Sequence, residues 1–490
     1  MEKNYLISID QSTQGTKALL FDRAGKLVKR ADLPHRQIIN DKGWISHDPE
    51  EIYQNTVQAV KNLVEGADIL KEEIMGIGIS NQRETSLIWD KGTGKALNHA
   101  IVWQCSRASL ICDELEKEGY GDEIRRKTGI RLSPFFPAAK LSWLLKNTAD
   151  ALALQEKGQL GMGTIDTWLL YRLTGGKVYA TDYSNASRTQ LFNLTTLKWD
   201  DEICRAFGIR PDALAAVCDS DSRFGETDFE GFFEEPIPIS AVMGDSHAAL
   251  FGHGCVKKGM MKVTYGTGSS IMMNAGKKPV FSEHGIVSSL AWGRSGKVTY
   301  VLEGNINYTG AVISWLKDDV QLIDSAGEVE KLAGEANPND TCYLVPAFSG
   351  LGAPYWNNRA RACLSGISRT TGKREIVKAA LESIAYQIND VVEAMEKDAK
   401  TKITGFYVDG GPTRNGYLMQ FQSDICGALV HVPDAVELSG FGAAYLAGIS
   451  LGLYDETVFE NIRSVDFVPT MDRTLREKKY QGWKDAINML

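Results

Sequence analysis

Two short segments, one near the start of each half of the chain, follow the same pattern of apolar strand, tight polar turn and second apolar strand. The first runs from Tyr5 to Asp22 and the second from Met261 to Asn274. The turns carry Thr13 and Thr267. Such turns present backbone N–H groups and hydroxyls that can hold phosphate oxygens. We therefore expect two similar domains that face each other across a nucleotide.

Length and charge narrow the class of protein. A chain of 490 residues is too long for one ordinary core, and it predicts about two to four domains. The chain has no Walker A pattern, GxxxxGK[ST], so the phosphate site is not a P-loop. A net charge of −8 gives no support for binding to nucleic acid or to an acidic membrane.

The cysteine pattern and the absence of long apolar runs indicate a cytoplasmic protein. The eight cysteines are dispersed, with no CxxC pair and no spacing typical of a metal site. Reduced thiols are the usual state in the cytosol. The chain shows neither a signal-peptide pattern nor a run of about 18 apolar residues, so no membrane association is expected.

Strand-like and helical segments alternate along the chain, which is the pattern of an α/β protein. Residues 219–236 are acidic and contain Pro and Gly, so they predict a surface excursion. The glycine-rich break Gly252–Gly259 predicts a boundary between domains 1–253 and 254–490. The predicted strands are Ile74–Ser80, Ala100–Trp103, Ile237–Val242 and Phe406–Asp409, and the predicted helices are Glu50–Glu65, Ala139–Lys146, Trp168–Leu173, Arg374–Lys400 and Tyr417–Ile425.

Two aspartates at strand ends are candidates for phosphoryl-transfer chemistry. Asp10 ends an apolar strand, where a carboxylate is costly unless it faces a cavity or a cation. With Thr13 and Lys17 on the turn, it can hold Mg²⁺ and phosphates. Asp245 lies where an apolar strand meets a helical segment, and it could take the proton of an attacking hydroxyl. Phosphoryl transfer needs positioning and charge neutralisation more than covalent chemistry, so few groups suffice.

Arg83 and Glu84 directly follow the strand Ile74–Ser80. An adjacent Arg and Glu at the end of a strand suit recognition of hydroxyls, because Arg donates hydrogen bonds and Glu accepts them. A surface ion pair of little energetic value is the alternative interpretation.

A further turn, Asp409-Gly410-Gly411, lies between a predicted strand and a predicted helix. It completes an ordered set of features along the chain: a hairpin, an aspartate at a strand-to-helix corner, a second hairpin and a glycine pair.

Several longer stretches resemble the FGGY carbohydrate kinases and, within that family, the glycerol kinases. The resemblance spans essentially the whole chain. It implies two ribonuclease H-like domains, as in the actin-like ATPases and sugar kinases, with the active site in the cleft between them. The stretches are Asn81–Thr85, Ala100–Cys105, Thr181–Arg188, Val345–Trp356, Leu381–Gln387, Leu418–Asp424 and Gly442–Gly448.

The resemblance also implies roles for individual residues, with ATP and Mg²⁺ as cofactors and a small polyol or sugar as substrate. Asp245 matches the family's general base. The position of Asp10 beside the first turn, and not the resemblance, predicts that it holds Mg²⁺ through water. Family members are commonly dimers or tetramers, which implies a homodimer here. The remaining polyol-binding matches are Arg83, Glu84 and Trp103, and the ATP-binding matches are Thr13, Thr267, Gly310, Gly411 and Asn415. The two turns add Lys17 and Gly410 to the expected ATP contacts.

The chain departs from the glycerol kinase pattern around the polyol. Phe135 replaces the tyrosine that contacts glycerol, Ser246 replaces a glutamine, and Ser270 replaces a phenylalanine that packs on the glycerol carbons. The expected reaction is transfer of the ATP γ-phosphate to a primary hydroxyl of glycerol or of a slightly larger polyol or ketose. The three replacements predict a larger and more polar pocket, which makes a four- or five-carbon polyol or ketose the alternative acceptor. His247 is either a substrate contact or a neutral helix residue turned away from the pocket.

Three smaller departures concern the first turn and regulation. Lys17 replaces the family's arginine, which keeps the charge and loses the bidentate fork, and Ser12 replaces a glycine. The loop Gly231–Pro236 is acidic and lacks histidine, so neither fructose bisphosphate inhibition nor histidine phosphorylation is expected.

Two other classes of protein remain as alternatives. A nucleotide-binding regulator would bind ATP and sense a ligand without releasing ADP. An actin- or Hsp70-like assembly protein would have no reason to carry Arg83, Glu84 and Trp103.

Overall fold

The first half of the chain is built on a mixed sheet whose three central strands are parallel. The computed structural model describes residues 2–490. Tyr5–Gln11 pairs in parallel with Ile74–Asn81, which pairs in parallel with Ile237–Gly244. These strands are buried almost throughout because both faces of the sheet are covered. The complete strand order is Glu226–Thr227, Ile237–Gly244, Ile74–Asn81, Tyr5–Gln11, Gly15–Phe21 and Leu27–Pro34.

The second half repeats this arrangement. Met260–Tyr265 forms an antiparallel hairpin with Ser269–Gly276 and pairs in parallel with Gly405–Asp409. In each half the first strand therefore lies between its hairpin partner and a strand from much later in the chain, as the ribonuclease H-like prediction requires. The complete order is Val287–Arg294, Lys297–Ile306, Ser269–Gly276, Met260–Tyr265, Gly405–Asp409, Val430–Pro433 and Ser464–Phe467.

A smaller antiparallel sheet extends the first half and carries its own apolar cluster. Its strand order is Leu160–Thr164, Ser86–Asp90, Ala100–Ile101, Ile45–His47 and Ile38–Ile39, with Lys95–Ala96 beside Ser86–Asp90. Three further strand pairs are Ala180–Asp182 with Ala216–Cys218, Phe192–Asn193 with Lys198–Trp199, and Tyr343–Val345 with Cys363–Ser365.

Helices cover the two main sheets. Pro49–Glu65 begins with favourable local chemistry, because Asp48 accepts a hydrogen bond from the Glu50 N–H and proline occupies the first helical position. The other helices of the first half are Ser109–Lys117, Tyr120–Thr128, Pro137–Asn147, Ala151–Glu156, Ile165–Leu173, Tyr183–Ala186, Asp201–Ala206 and Asp245–Gly252. Those of the second half are Gly310–Ser314, Val329–Gly334, Lys373–Ala399, Gly416–Cys426, Leu438–Ser450 and Arg473–Ile487.

One helix of the second half packs on the sheet of the first. Leu438–Ser450 lies against Tyr5–Gln11, Ile74–Asn81 and the helix Asp245–Gly252. Side chains from both halves, among them Phe21 and Tyr445, form one buried cluster there. The halves therefore share a core beneath the cleft. The boundary between domains 1–253 and 254–490 stays a prediction.

Most predicted helices and strands are confirmed within one or two residues, and the helix predicted at Trp168–Leu173 begins three residues earlier, at Ile165. Two predictions need correction. Only Ala100–Ile101 of the predicted strand Ala100–Trp103 is a strand, and Trp103 lies in the turn that follows. The surface excursion over 219–236 is wrong in part, because Phe224, Phe229 and Phe233 are buried in the core of the first half. Within residues 2–490, no helix combines the length and apolar character needed to cross a membrane.

Candidate active site

The first predicted phosphate turn connects Tyr5–Gln11 and Gly15–Phe21. It is closed by a hydrogen bond from the Ser12 N–H to the Gly15 carbonyl, at 2.8 Å. The Thr13 hydroxyl accepts a hydrogen bond from the Trp103 indole at 3.0 Å, and both residues line the same cavity. The turn is thus attached to the predicted polyol-binding wall.

Asp10 lies beside this turn with its carboxylate buried. It accepts a hydrogen bond from the Ser80 hydroxyl at 3.0 Å, and the Lys17 ammonium lies 3.8 Å away. Burial, helped by the nearby Asp245 and opposed by Lys17, raises the pKa of Asp10 to about 6. A desolvated carboxylate close to a second one is a favourable place for an additional cation.

Lys17 is held by the second half of the chain. Its ammonium donates to the Glu437 carboxylate at 2.6 Å, and Glu437 also pairs with Arg30 at 2.7 Å. Glu437 directly precedes the helix Leu438–Ser450. The ion pair therefore joins the two halves beside Asp10, with Lys17 held 3.8 Å from that carboxylate.

The second turn, Gly266–Gly268, mirrors the first across the cleft. The Thr267 carbonyl accepts from the Thr309 N–H at 2.9 Å, and the Gly266 carbonyl accepts from the Gly310 N–H at 2.9 Å. A Cβ on Gly268 would collide with the Ile306 carbonyl, which explains the glycine. Thr267 and Thr13 line one cavity from opposite walls.

A cavity of about 820 Å³ begins at Gly310, which contacts Gly266 of this turn, and is lined by residues of the second half. Three of the predicted ATP-binding residues line it, Gly310, Gly411 and Asn415. Gly410 has a φ of +102°, and a Cβ there would collide with the Tyr265 carbonyl, so only glycine allows this turn to approach so closely. The apolar part of the lining comprises Ile313, Val329, Leu381, Ile384 and Leu418.

A second cavity, of about 660 Å³, brings together most of the predicted acceptor residues. It lies between the two halves and adjoins the 820 Å³ cavity where Gly310 contacts Gly266. From the first half, the predicted residues in its lining are Thr13, Arg83, Glu84, Trp103, Phe135, Asp245 and Ser246, and from the second half Thr267 and Ser270.

Asp245 is the most open carboxylate of this group. It begins the helix Asp245–Gly252 at the carboxyl end of Ile237–Gly244, and 35% of its side chain is exposed to the cavity. One carboxylate oxygen accepts from the Ser246 N–H at 2.6 Å and lies 3.2 Å from Arg83 Nε. A carboxylate fixed in this way keeps free lone pairs for a hydroxyl proton.

Aromatic and charged groups complete the wall. The Trp103 and Phe135 rings meet edge to face with centroids 5.6 Å apart, which forms an apolar surface for carbon atoms. Glu84 has a φ of +60°, and its carboxylate accepts from Arg188 Nε at 2.6 Å. Ser246 accepts from Arg83 at 3.3 Å.

His247 lies behind the cavity wall. It is 0% exposed, and its Nε2 lies 3.4 Å from the Ser289 hydroxyl. Burial lowers its pKa well below the ordinary value, with a further lowering by Arg83, so the ring is neutral. This position favours the second of the two alternatives, a helix residue turned away from the acceptor.

Sequence reasoning missed four polar residues. Glu303 is an acid that directly follows the apolar run Tyr300–Leu302, the same signal that identified Asp10. Its partner Arg188 ends one of the stretches that resemble the family. Asn305 and Asn307 line the acceptor cavity beside Ser270. Their two-residue spacing on a strand end was the available signal.

The chain matches family models over most of its length. Residues 5–252 match the N-terminal domain of the FGGY family of carbohydrate kinases, and residues 261–451 match its C-terminal domain.

Within residues 2–490, no group of three or more His, Cys, Asp or Glu side chains is arranged to hold a metal ion. A magnesium ion here would therefore depend on ligands from phosphate and water as well as protein.

Curated relatives and a solved structure agree with these models. A glycerol kinase of Carboxydothermus hydrogenoformans is 46% identical over 99% of this chain and 98% of its own. Glycerol kinase 2 of Thermotoga maritima is 46% identical with the same coverage. The structure of Plasmodium falciparum glycerol kinase with ADP superposes with a TM-score of 0.94 at 35% identity, covering 100% of this chain and 98% of that one.

Proposed function

The chain belongs to the FGGY family of carbohydrate kinases, and we propose that it phosphorylates a primary hydroxyl of a four- or five-carbon polyol or ketose. As a family member it is an ATP-dependent phosphotransferase with an alcohol as acceptor. The observation that carries the proposal is the open carboxylate of Asp245, in the cavity lined by both phosphate turns and beside Arg83.

The residues present fit Mg·ATP. Thr13 and Thr267 line the cleft from the two halves of the chain. A Cβ on Gly411 would meet no atom of residues 2–490 within 4 Å, so this turn is open beside the 820 Å³ cavity that it lines. We assign Thr13, Lys17, Thr267, Gly310, Gly410, Gly411 and Asn415 to the nucleotide. Asp10 would hold the magnesium ion through water, in keeping with that ion's preference for water ligands. When bound, the ion neutralises charge on the transferred phosphoryl group.

At the acceptor end, each residue has a separate role. Arg83 and Glu84 orient the reactive end of the polyol, and Trp103 packs against its carbons. Asp245 accepts the proton of the attacking hydroxyl, which makes that oxygen a better nucleophile. The aromatic edge contact between Trp103 and Phe135 keeps this side of the cavity apolar.

The far end of the cavity supports an acceptor longer than glycerol. The Ser270 hydroxyl oxygen is buried and has no hydrogen-bond partner within the described part of the chain. Asn305 and Asn307 add amide groups to the same lining. Buried polar groups that a short ligand leaves unpaired reduce its binding. A further hydroxyl on a longer acceptor would pair with them.

Glycerol is the second candidate acceptor, and the names of the curated relatives favour it. Those relatives are 44–46% identical over nearly the whole chain. The retained Arg83, Glu84, Trp103 and Asp245 would serve a three-carbon polyol equally well. The two candidates differ only in how the space around Phe135, Ser246 and Ser270 is filled.

We also propose a homodimer in the cytoplasm, acting on small molecules without nucleic acid. The resemblance to a family of dimers and tetramers supports the oligomeric state. The net charge of −8 supports the absence of nucleic-acid binding. The dispersed cysteines support a cytoplasmic location.

Thr267→Val is expected to raise the KM for ATP about tenfold or more, because hydrogen bonds to charged groups contribute about 1.5–3 kcal/mol. The KM for the acceptor should change little. Steady-state kinetics with each substrate varied in turn measures both values. Thr267→Ser, which keeps the hydroxyl, is the matched control. An unchanged ATP KM in Thr267→Val would contradict the two-turn nucleotide site.

The acceptor is tested by kcat/KM for glycerol, erythritol, ribitol, erythrulose, ribulose and xylulose. The wild type is expected to prefer a four- or five-carbon compound over glycerol. Ser270→Phe should reduce that preference about 10- to 200-fold, since one to three kcal/mol separate ligands that differ by such contacts. Ser270→Ala removes the hydroxyl without filling the space, and so separates the two effects.

Two outcomes of this panel would change the proposal. A wild type that prefers glycerol, with Ser270→Phe only impairing it, would establish glycerol as the acceptor. A protein that binds ATP but releases no ADP with any compound would instead be a sensor.

A further inference from the structure

Four buried charged side chains form a network at the wall of the acceptor cavity, which two of them, Arg83 and Glu84, also line. Arg83, Glu84 and Arg188 belong to the first half of the chain, and Glu303 belongs to the sheet of the second. All four are at most 9% exposed. Ion pairs therefore join the two halves directly behind the groups that we assign to the acceptor.

Glu303 is the centre of this network. Its two carboxylate oxygens accept from Arg83 Nη1 at 2.9 Å and Nη2 at 3.1 Å, a bidentate pair. Arg188 Nη1 lies 3.1 Å from the same carboxylate. Burial alone would raise the pKa of Glu303, but Arg188 and Arg83 outweigh it and hold the pKa well below its usual range.

The same two arginines reach forward to the cavity with their Nε atoms. Arg83 Nε lies 3.2 Å from Asp245, and Arg188 Nε donates to Glu84 at 2.6 Å. Because a guanidinium is planar and rigid, fixing its Nη atoms also fixes the direction of its Nε–H. Glu303 therefore sets the orientation of groups on both sides of the acceptor without lining the cavity itself.

We propose that Glu303 is a positioning residue for the acceptor and that it acts through Arg83 and Arg188. The inference rests on the proposed function, which assigns Arg83 and Glu84 to the acceptor. Without the Glu303 charge, two buried guanidinium groups would lose their shared partner. They would turn towards Glu84 and Asp245, the carboxylates that remain, and would lose the arrangement that receives a polyol.

The test is Glu303→Gln, which keeps the shape of the side chain and removes its charge. The expected result is a rise of at least tenfold in the acceptor KM, with the ATP KM changed less than twofold. A purely structural role would lower the fraction of active enzyme, and so kcat, and would leave both KM values unchanged. Such a result would overturn the proposal.

Two further variants make the test decisive. Asp390→Asn is the matched control, since this buried carboxylate of the second half accepts from Trp483 at 2.8 Å and Tyr480 at 2.6 Å, outside both cavities. It should lower the melting temperature with both KM values unchanged. Arg188→Lys changes a residue of the same network that belongs to the first half. It should raise the acceptor KM, and it provides the test if Glu303→Gln does not fold.

Arg83→Lys separates this inference from the proposed function. A raised acceptor KM in Arg83→Lys, with unchanged values in Glu303→Gln and Arg188→Lys, would overturn the positioning role alone. An unchanged acceptor KM in Arg83→Lys would overturn the assigned acceptor site as well. Raised acceptor KM values in all three variants would support both.

Discussion

Replacing Asp245 with Asn is expected to lower kcat by about 10² to 10⁴, the usual contribution of a general base. The amide has nearly the shape of the carboxylate but cannot take a proton from the attacking hydroxyl. ATP binding should survive, because Asp245 lies on the acceptor side of the cleft and the nucleotide cavity is lined by other residues.

Coupled detection of ADP release measures kcat, and calorimetric titration measures ATP binding. Asp48→Asn is the matched control, because Asp48 also stands at a helix start and accepts from the Glu50 N–H at 2.9 Å, outside the cleft. Asn and Asp are about equally good at such positions, so this variant should keep full activity. Near-normal kcat in Asp245→Asn would show that another group takes the proton.

The fold could be predicted from sequence because its main signals are local. Each strand-turn-strand segment carries its own apolar pattern, and the order of the two hairpins fixes the repeat. The strand Ile237–Gly244 ends immediately before Asp245, where the apolar run predicts the corner. Long helices such as Lys373–Ala399 follow from their apolar spacing.

The errors have a common cause in tertiary contacts. Phe224, Phe229 and Phe233 lie in a segment whose acidic residues and glycines predict an exposed loop, yet the rings fill the core behind a strand. Local composition cannot reveal a core to which a loop contributes only its aromatic side chains. The short strand at Ala100–Ile101 similarly depends on its neighbours.

The residues of the candidate site fall into two groups, those with a local sequence signal and those that depend on tertiary contacts. Residues of the turns and the strand-to-helix corner could be identified, because each is chemically unusual for its local setting. The pairing of Glu303 with Arg83 and Arg188 could not, because it depends on how the two halves meet. The orientation of His247 was equally open, since adjacent helix residues face different directions.

The second large effect is expected at Gly442, where two helices touch. Gly442 lies in Leu438–Ser450, and a Cβ there would overlap the Ala248 carbonyl of the helix that begins with Asp245. Backbone atoms cannot move aside as the end of a side chain can. We therefore expect Gly442→Ala to lower the free energy of unfolding by about 3 kcal/mol or more, at or above the upper end for overpacking.

The same displacement should also affect catalysis. Moving the helix Asp245–Gly252 by even about 1 Å shifts the carboxylate relative to both phosphate turns, and such a misplacement can cost about 10²-fold in rate. Gly334→Ala is the matched control, because a Cβ there meets no atom of residues 2–490 within 4 Å. In a helix this change should be neutral or stabilising by about 0.5–1 kcal/mol. Urea denaturation and Tm measure stability, and ADP release measures rate. If Gly442→Ala has the same free energy of unfolding as Gly334→Ala and keeps full activity, the close contact between the two helices does not set the position of Asp245.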